Sequence, residues 1–176
     1  TLIFNNHRIS AMHTGKNSIV WMYDDVTKDV IGLDTRNKSI KHRINMRSRL
    51  SNPYMGNIFE TSDGQLWYSS NSFETIRIDL NSNYQSEIVR NTISDPASII
   101  GDYVSSAWED TDHTLWLGTI AGISRYNPNR MFYCIIRLAE KYPELDQNWH
   151  ITCMAQNPLN DEWWLGTRNG KIYVYN

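Results

Sequence analysis

In this 176-residue chain, Asp24 with Asp25, and Glu144 with Asp146, stand close enough in sequence to be read as a catalytic carboxylate pair. Glycoside hydrolysis needs such a pair, one carboxyl protonating the leaving oxygen while the other acts as base or nucleophile. Neighbouring acids of this kind are nonetheless expected on the solvated surface, where Asp and Glu normally reside. The stretch "EDTDH" (109–113) begins like a calcium loop but lacks the glycine and distal glutamate such a loop requires, so it reads as a hairpin turn. His7, His13, His42, His113 and His150 show no metal-ligand spacing, and Cys134 and Cys153 form no C-x-x-C pair. "LGTIAG" (117–122) has closely spaced glycines, but a strand is expected to follow it, whereas a phosphate loop opens a helix. No G-x-S-x-G nucleophile turn occurs. No catalytic residue, metal or cofactor is expected.

Recognition chemistry is better represented. A sugar site wants a flat aromatic face and a few oriented polar groups. Tyr54, Tyr103 and Trp149 could supply the face, and Asn71 and Arg168 the polar contacts. The competing reading is that these rings cap a core and that Arg168 is a solvated loop charge. Aromatics make up 12% of the chain, with seven Trp and ten Tyr, and that much ring surface must be buried or shown to a ligand. Net charge is −2 with scattered basic residues, so the concentrated footprint that nucleic-acid binding requires is missing. No apolar run approaches the roughly 20 residues of a membrane helix. The opening "TLIFNNHRIS" lacks a signal-peptide layout, and the missing initial Met points to a processed or excised chain. Both cysteines sit in strand-like apolar runs, "MFYCIIRL" and "ITCMAQ", and are expected to be buried thiols.

The elements that must position these residues repeat. Trp21, Trp67, Trp116 and Trp164 lie in "SIVWMYDD", "GQLWYSSN", "HTLWLGTI" and "DEWWLGTR", spaced 46, 49 and 48 residues apart. Each is followed by an apolar run that closes on Asp34, Asp79, Asn127 or Asn176, and each is preceded by a further strand-like run. The turns between are rich in Asn, Asp and Gly, which tolerate positive φ. A unit therefore reads as strand, turn, strand, turn, strand and a weaker fourth strand, with short helical turns expected at "SDPASII" and "LAEKYPEL". Four antiparallel strands recurring at nearly 50 residues is the pattern of an all-β propeller, one blade per repeat. The repeat tryptophans are expected to fill the space between blades. Gly118 and Gly166 would let neighbouring backbone approach, while Gly122 and Gly170 belong to the second turn.

The stretch "EDTDHTLWLGTIAGISRYNP" resembles the two-component regulator propeller repeat through Glu109, Asp110, Leu115, Trp116, Gly118, Thr119, Gly122, Arg125 and Tyr126. "EWWLGTRNGKIYVYN" matches through Trp164, Gly166, Thr167, Gly170 and Tyr175. The unit around Trp67 matches in part, with Ser69 where the family has glycine, and the unit around Trp21 is degenerate, with Tyr23 there. The resemblance implies a non-enzymatic sensor module in the periplasm, part of an inner-membrane hybrid histidine kinase receptor that responds to oligosaccharides. Its implied partners are the rest of the receptor propeller and a receptor dimer partner, with no nucleic acid and no membrane contact by this segment. Blades are expected at 5–50, 51–94, 99–142 and 147–176, the last incomplete and residues 1–4 a stray outer strand. A fragment of a ring of about seven blades is favoured over a closed four-bladed one. Its open edges would invite self-association. A propeller lyase or glycosidase, or a protein-interaction scaffold, are the alternatives. Ligand loops would be those joining fourth to first and second to third strands.

Overall fold

A computed structural model describes residues 5–54, 56–95, 98–127, 132–136, 138, 142, 150–160 and 162–175. Its strands form two compact units, Thr1–Val89 and Arg90–Asn176. In the first, β1 (Ile9–Thr14), β2 (Ile19–Asp24), β3 (Asp29–Asp34) and β4 (Ser39–Asn45) make one sheet. β5 (Gly56–Glu60), β6 (Gln65–Ser70), β7 (Glu74–Asp79) and β8 (Gln85–Val89) make a second. In the second unit, β9 (Val104–Glu109), β10 (Leu115–Thr119), β11 (Ile123–Asn127) and β12 (Phe132–Ile136) form a four-stranded sheet, and β13 (Ile151–Gln156), β14 (Trp163–Thr167) and β15 (Ile172–Tyr175) a three-stranded one. Every pairing is antiparallel between sequence neighbours, so each sheet is a meander.

The period of two along each strand sorts the residues between faces. Ile19, Trp21 and Tyr23 leave one face of the first sheet and meet Leu66 and Tyr68 of the second, with Val30, Ile44, Met46, Ile58, Ile76 and Ile78 completing that core. The Tyr23 and Tyr68 rings lie 4.9 Å apart. The second unit repeats the scheme. Trp163 and Leu165 pack against Ile123 and the half-buried Trp108 and Trp116. The Trp163 ring sits 4.9 Å from Trp108, edge to face, and 4.5 Å from Trp116. In each unit the repeat tryptophan of the first sheet thus faces the residues that flank the repeat tryptophan of the second. The innermost strands run side by side, β1 against β5 and β9 against β13.

The turns explain two features of the repeat. In the first unit, the acid closing each third strand caps the following hairpin: Asp34 accepts from Arg36 N at 2.9 Å, and Asp79 from Asn81 N at 2.8 Å. These are Asx turns, in which a carboxylate replaces a backbone acceptor. The threonine of "WLGT" clamps the second hairpin. Thr119 Oγ1 donates to Gly122 O at 3.0 Å and accepts from Ala121 N at 3.1 Å, and Thr167 Oγ1 donates to Lys171 O at 2.8 Å. Gly170, at φ +80°, takes a conformation in that turn that a side chain would strain. "EDTDH" is a hairpin turn, with Asp110 Oδ1 accepting from Asp112 N at 3.0 Å and Thr114 N at 2.8 Å.

Four expectations need correction. Trp164 is 46% exposed rather than core, whereas Trp21 and Trp67 are each 1% exposed. The repeat register puts Trp164 on the face of its sheet turned away from Trp163, and no described strand of its unit lies across that face. Cys153 is exposed on that same face, not buried. A Cβ on Gly118 would meet Ser106 Oγ, Ile151 Cγ2 at 3.1 Å and Met154 Sδ at 3.2 Å, and one on Gly166 would meet Cys153 Sγ, so side chains rather than backbone occupy the space these glycines leave. Asp24 and Asp25 are 0% and 4% exposed, not solvated, because each is bound by surrounding donors. The stray strand at 1–4 and the acids Glu144 and Asp146 fall outside the described residues, as do Pro96 and most of "LAEKYPEL" in the expected helical turns; Tyr142 N does bond Leu138 O at 2.7 Å.

Candidate ligand-binding site

At one end of the first unit, the β2–β3 turn, the β4–β5 connection and the β6–β7 turn converge. Hydroxyls of "YSSNS" tie the last two together. Ser70 Oγ donates to Asn52 O at 2.8 Å and accepts from Tyr54 N at 3.1 Å, and the Glu74 carboxylate accepts from Ser51 N at 3.3 Å and Asn52 N at 3.1 Å. Tyr23 OH donates to Pro53 O at 2.7 Å and Tyr68 OH to Tyr54 O at 3.1 Å. The backbone of residues 51–54 is therefore pinned from beneath. The Tyr54 ring is left outside, 48% exposed, with Lys28 Nζ 5.0 Å from its centroid. Asn71, exposed, donates its backbone N–H to Tyr54 O at 3.4 Å.

Phe73 adds a second ring on the β6–β7 turn. It is 55% exposed and sits at φ +62°, a conformation that disfavours bulky side chains. A strained, exposed aromatic on the turn whose Asn71 N–H bonds Tyr54 O is a reason to suspect recognition. Sequence reasoning passed over both Phe73 and Lys28. The available signal was that Phe73 breaks the strand alternation inside "SNSFETI".

Behind these rings lies an electrostatic cluster. Asp24 accepts from His7, from Val26 N at 2.9 Å, from Thr27 Oγ1 at 2.8 Å and from Arg8 N at 3.3 Å. Burial alone would raise its pKa, but these hydrogen bonds outweigh it and hold the carboxyl well below the ordinary range. Asp25 lies 3.3 Å from both Arg8 Nε and Lys28 Nζ. A carboxylate held ionised this firmly has no proton to donate near neutral pH, so Asp24 does not suit general-acid chemistry. The cluster instead fixes the β2–β3 turn and aims Lys28 at Tyr54.

The remaining expected residues lie in the second unit. Tyr103 is half-buried, and Arg168 is exposed, with its N–H donating to His150 O at 2.8 Å. Trp149 falls outside the described residues. Tyr54 and Asn71 are thus brought together in one unit, while Tyr103 and Arg168 belong to the other.

No family model and no curated protein matches the chain. Solved structures do. An extracellular domain assigned to a hybrid two-component system of B. thetaiotaomicron is similar with a TM-score of 0.68, over 96% of this chain and 21% of that one, at 14% identity. The WD40 repeats of RRP9 give 0.66 over 98% and 49%, at 11% identity. The sheets are propeller blades. Virginiamycin B lyase from Staphylococcus aureus gives 0.63 over 99% and 57%, at 15% identity, so the blade architecture serves proteins of different kinds. This chain spans about a fifth of the length of the two-component domain, and between about half and three-fifths of the other two.

Proposed function

We propose that these blades form a ligand-binding sensor module, without catalysis of its own, in the periplasmic part of a two-component receptor. The observation that carries the reading is the loop end of the first unit: two exposed rings, Tyr54 and Phe73, with Lys28 and Asn71, on turns braced by part-buried hydrogen bonds. Preorganised aromatic and polar groups of this kind suit an oligosaccharide. Resemblance of "LWLGTIAGISRYN" to the regulator repeat supports the receptor context.

The fourth sheet supports a module that continues into further blades. Its outward face carries Cys153, Ala155, Trp164, Ile172 and Val174, with Trp164 46% and Ile172 66% exposed. Trp116, at the same repeat position, has such a face covered by the next sheet. The rest of the receptor propeller is the proposed cover. Ligand occupancy would then favour one arrangement of the receptor dimer over another.

Titration calorimetry with a panel of oligosaccharides tests the reading, using Tyr54→Ala and Phe73→Ala as controls. Saccharide binding weakened at least tenfold in both variants, with the sugar recovered intact, is the expected result. Turnover of the bound sugar would overturn it.

A further inference from the structure

A recess of about 390 Å³ lies at the other end of the first unit, between its two sheets. That volume falls within the roughly 300–1,000 Å³ usual for small-molecule sites. The β1–β2 turn supplies Lys16 and Asn17, β4 supplies Lys41 and His42, β5 ends in Glu60, and the β5–β6 turn contains Asp63.

Its floor is rigid. Trp21, 1% exposed, donates Nε1–H to Glu60 Oε2 at 2.7 Å, and the same oxygen accepts from Lys16 N at 3.0 Å. Lys16 Nζ donates to the Ser62 carbonyl, closing the turn over the second sheet. His42 lies 5.1 Å from the Trp21 ring, with Nδ1 2.7 Å from Tyr84 OH. Burial, and secondarily Lys41, lower the His42 pKa against the opposing pull of Glu60, which favours the neutral imidazole on this wall. Lys16 and Lys41 are balanced by Glu60 and Asp63. An anion would meet two carboxylates here, and a cation two ammonium groups. Ligand hydroxyls, which both donate and accept, suit this mixed lining of ammonium, carboxylate and amide groups.

We propose that this recess is a second ligand site, taking a neutral polyhydroxylated molecule of one or two sugar rings. Lys41, Asn17 and Glu60 bond its hydroxyls, and the imidazole of His42 packs against a ring. The inference rests on the ligand-binding reading of the module but places this site at the end opposite Tyr54.

The test is ¹H–¹⁵N spectroscopy of the chain, with the Trp21 indole N–H as reporter and maltose, cellobiose, glucuronate and inorganic phosphate as probes. A neutral disaccharide should shift the Trp21 indole signal. Lys41→Met and Asn17→Gly should weaken that response at least tenfold, while Tyr54→Ala leaves it unchanged. Asn17 sits at φ +52°, which glycine adopts freely, and Lys41 is exposed, so both variants should keep the native amide spectrum. A larger response to phosphate or glucuronate than to the disaccharides would overturn the proposal. Disaccharide shifts confined to the loops of Tyr54 and Asn71 would overturn it while leaving the module's function standing. No saccharide response anywhere would overturn both.

Discussion

Replacing Trp21 by Ala should destabilise the chain by about 3–5 kcal/mol, the usual cost of emptying a buried aromatic site. The same change at Trp164, 46% exposed, should cost about 1 kcal/mol or less, and urea unfolding of the two variants checks the contrast. Both residues hold the same repeat position, so their register was legible in the sequence. Their burial was not, because it depends on what lies across the sheet. The buried acids were equally hidden: nothing in "YDDVTKD" announces that His7, Arg8 and Lys28 converge on Asp24 and Asp25. Those contacts give a pH signature. Asp34 is held down to about 2 by its hydrogen bonds from Arg36, and Asp24 and Asp79 are also lowered. Groups depressed in the folded state stabilise it above their unfolded pKa and lose that contribution as pH falls through the folded value. Burial lowers His13 and His42 as well, so protonation of the unfolded chain should begin to erode stability below about pH 6.5. Unfolding free energy should therefore fall in two stages on acidification, the first of them reduced in a His42→Gln variant.

At the scale of elements, the hairpins were legible wherever turn chemistry was conventional. Asp34, Asp79 and Asp110 cap turns as their residue type suggests. Residues at positive φ with no turn preference were not legible: Lys28, Lys38, Phe73 and Tyr84 all take it although their residue types give no sign of it. Phe73 allows a sharp test of strain kept for recognition. Relieving a left-handed conformation is worth about 1–2 kcal/mol. Phe73→Gly forfeits the ring's packing and gains chain entropy in the unfolded state, so it should leave stability unchanged or raised by up to about 1 kcal/mol while weakening saccharide binding. Thermal unfolding and calorimetry on the one variant separate the two effects. Thr119→Val, which keeps the shape but loses the hydroxyl's bonds to Ile100 O and Ala121 N, should cost about 1–2 kcal/mol, while Gly122 O keeps the Thr119 N–H at 2.8 Å.

For the whole molecule, the near-50-residue period was enough to read four sheets, since each repeat is a meander that buries its residues only against a neighbour. Position on the propeller was harder to read. Tyr54 and Asn71 share a loop end, but the recess walled by Lys41 and His42 is built from residues that look like ordinary strand and turn positions. With Trp164 and Ile172 exposed on the outward face of the fourth sheet, two copies are expected to pair through that face at high concentration. Sedimentation equilibrium checks this: Trp164→Glu should remove any concentration-dependent association, without changing the fold by circular dichroism.

Cys153 lies on that face, exposed, opposite Gly166 and two residues from Ala155. Chemically, this is a built-in footprinting probe. An uncovered thiol should alkylate at the rate of a free cysteine, and a blade docked over Trp164 should shield it. The modification rate of one sulfur would then report, in solution and without any introduced label, how much of the time the sheet stands open.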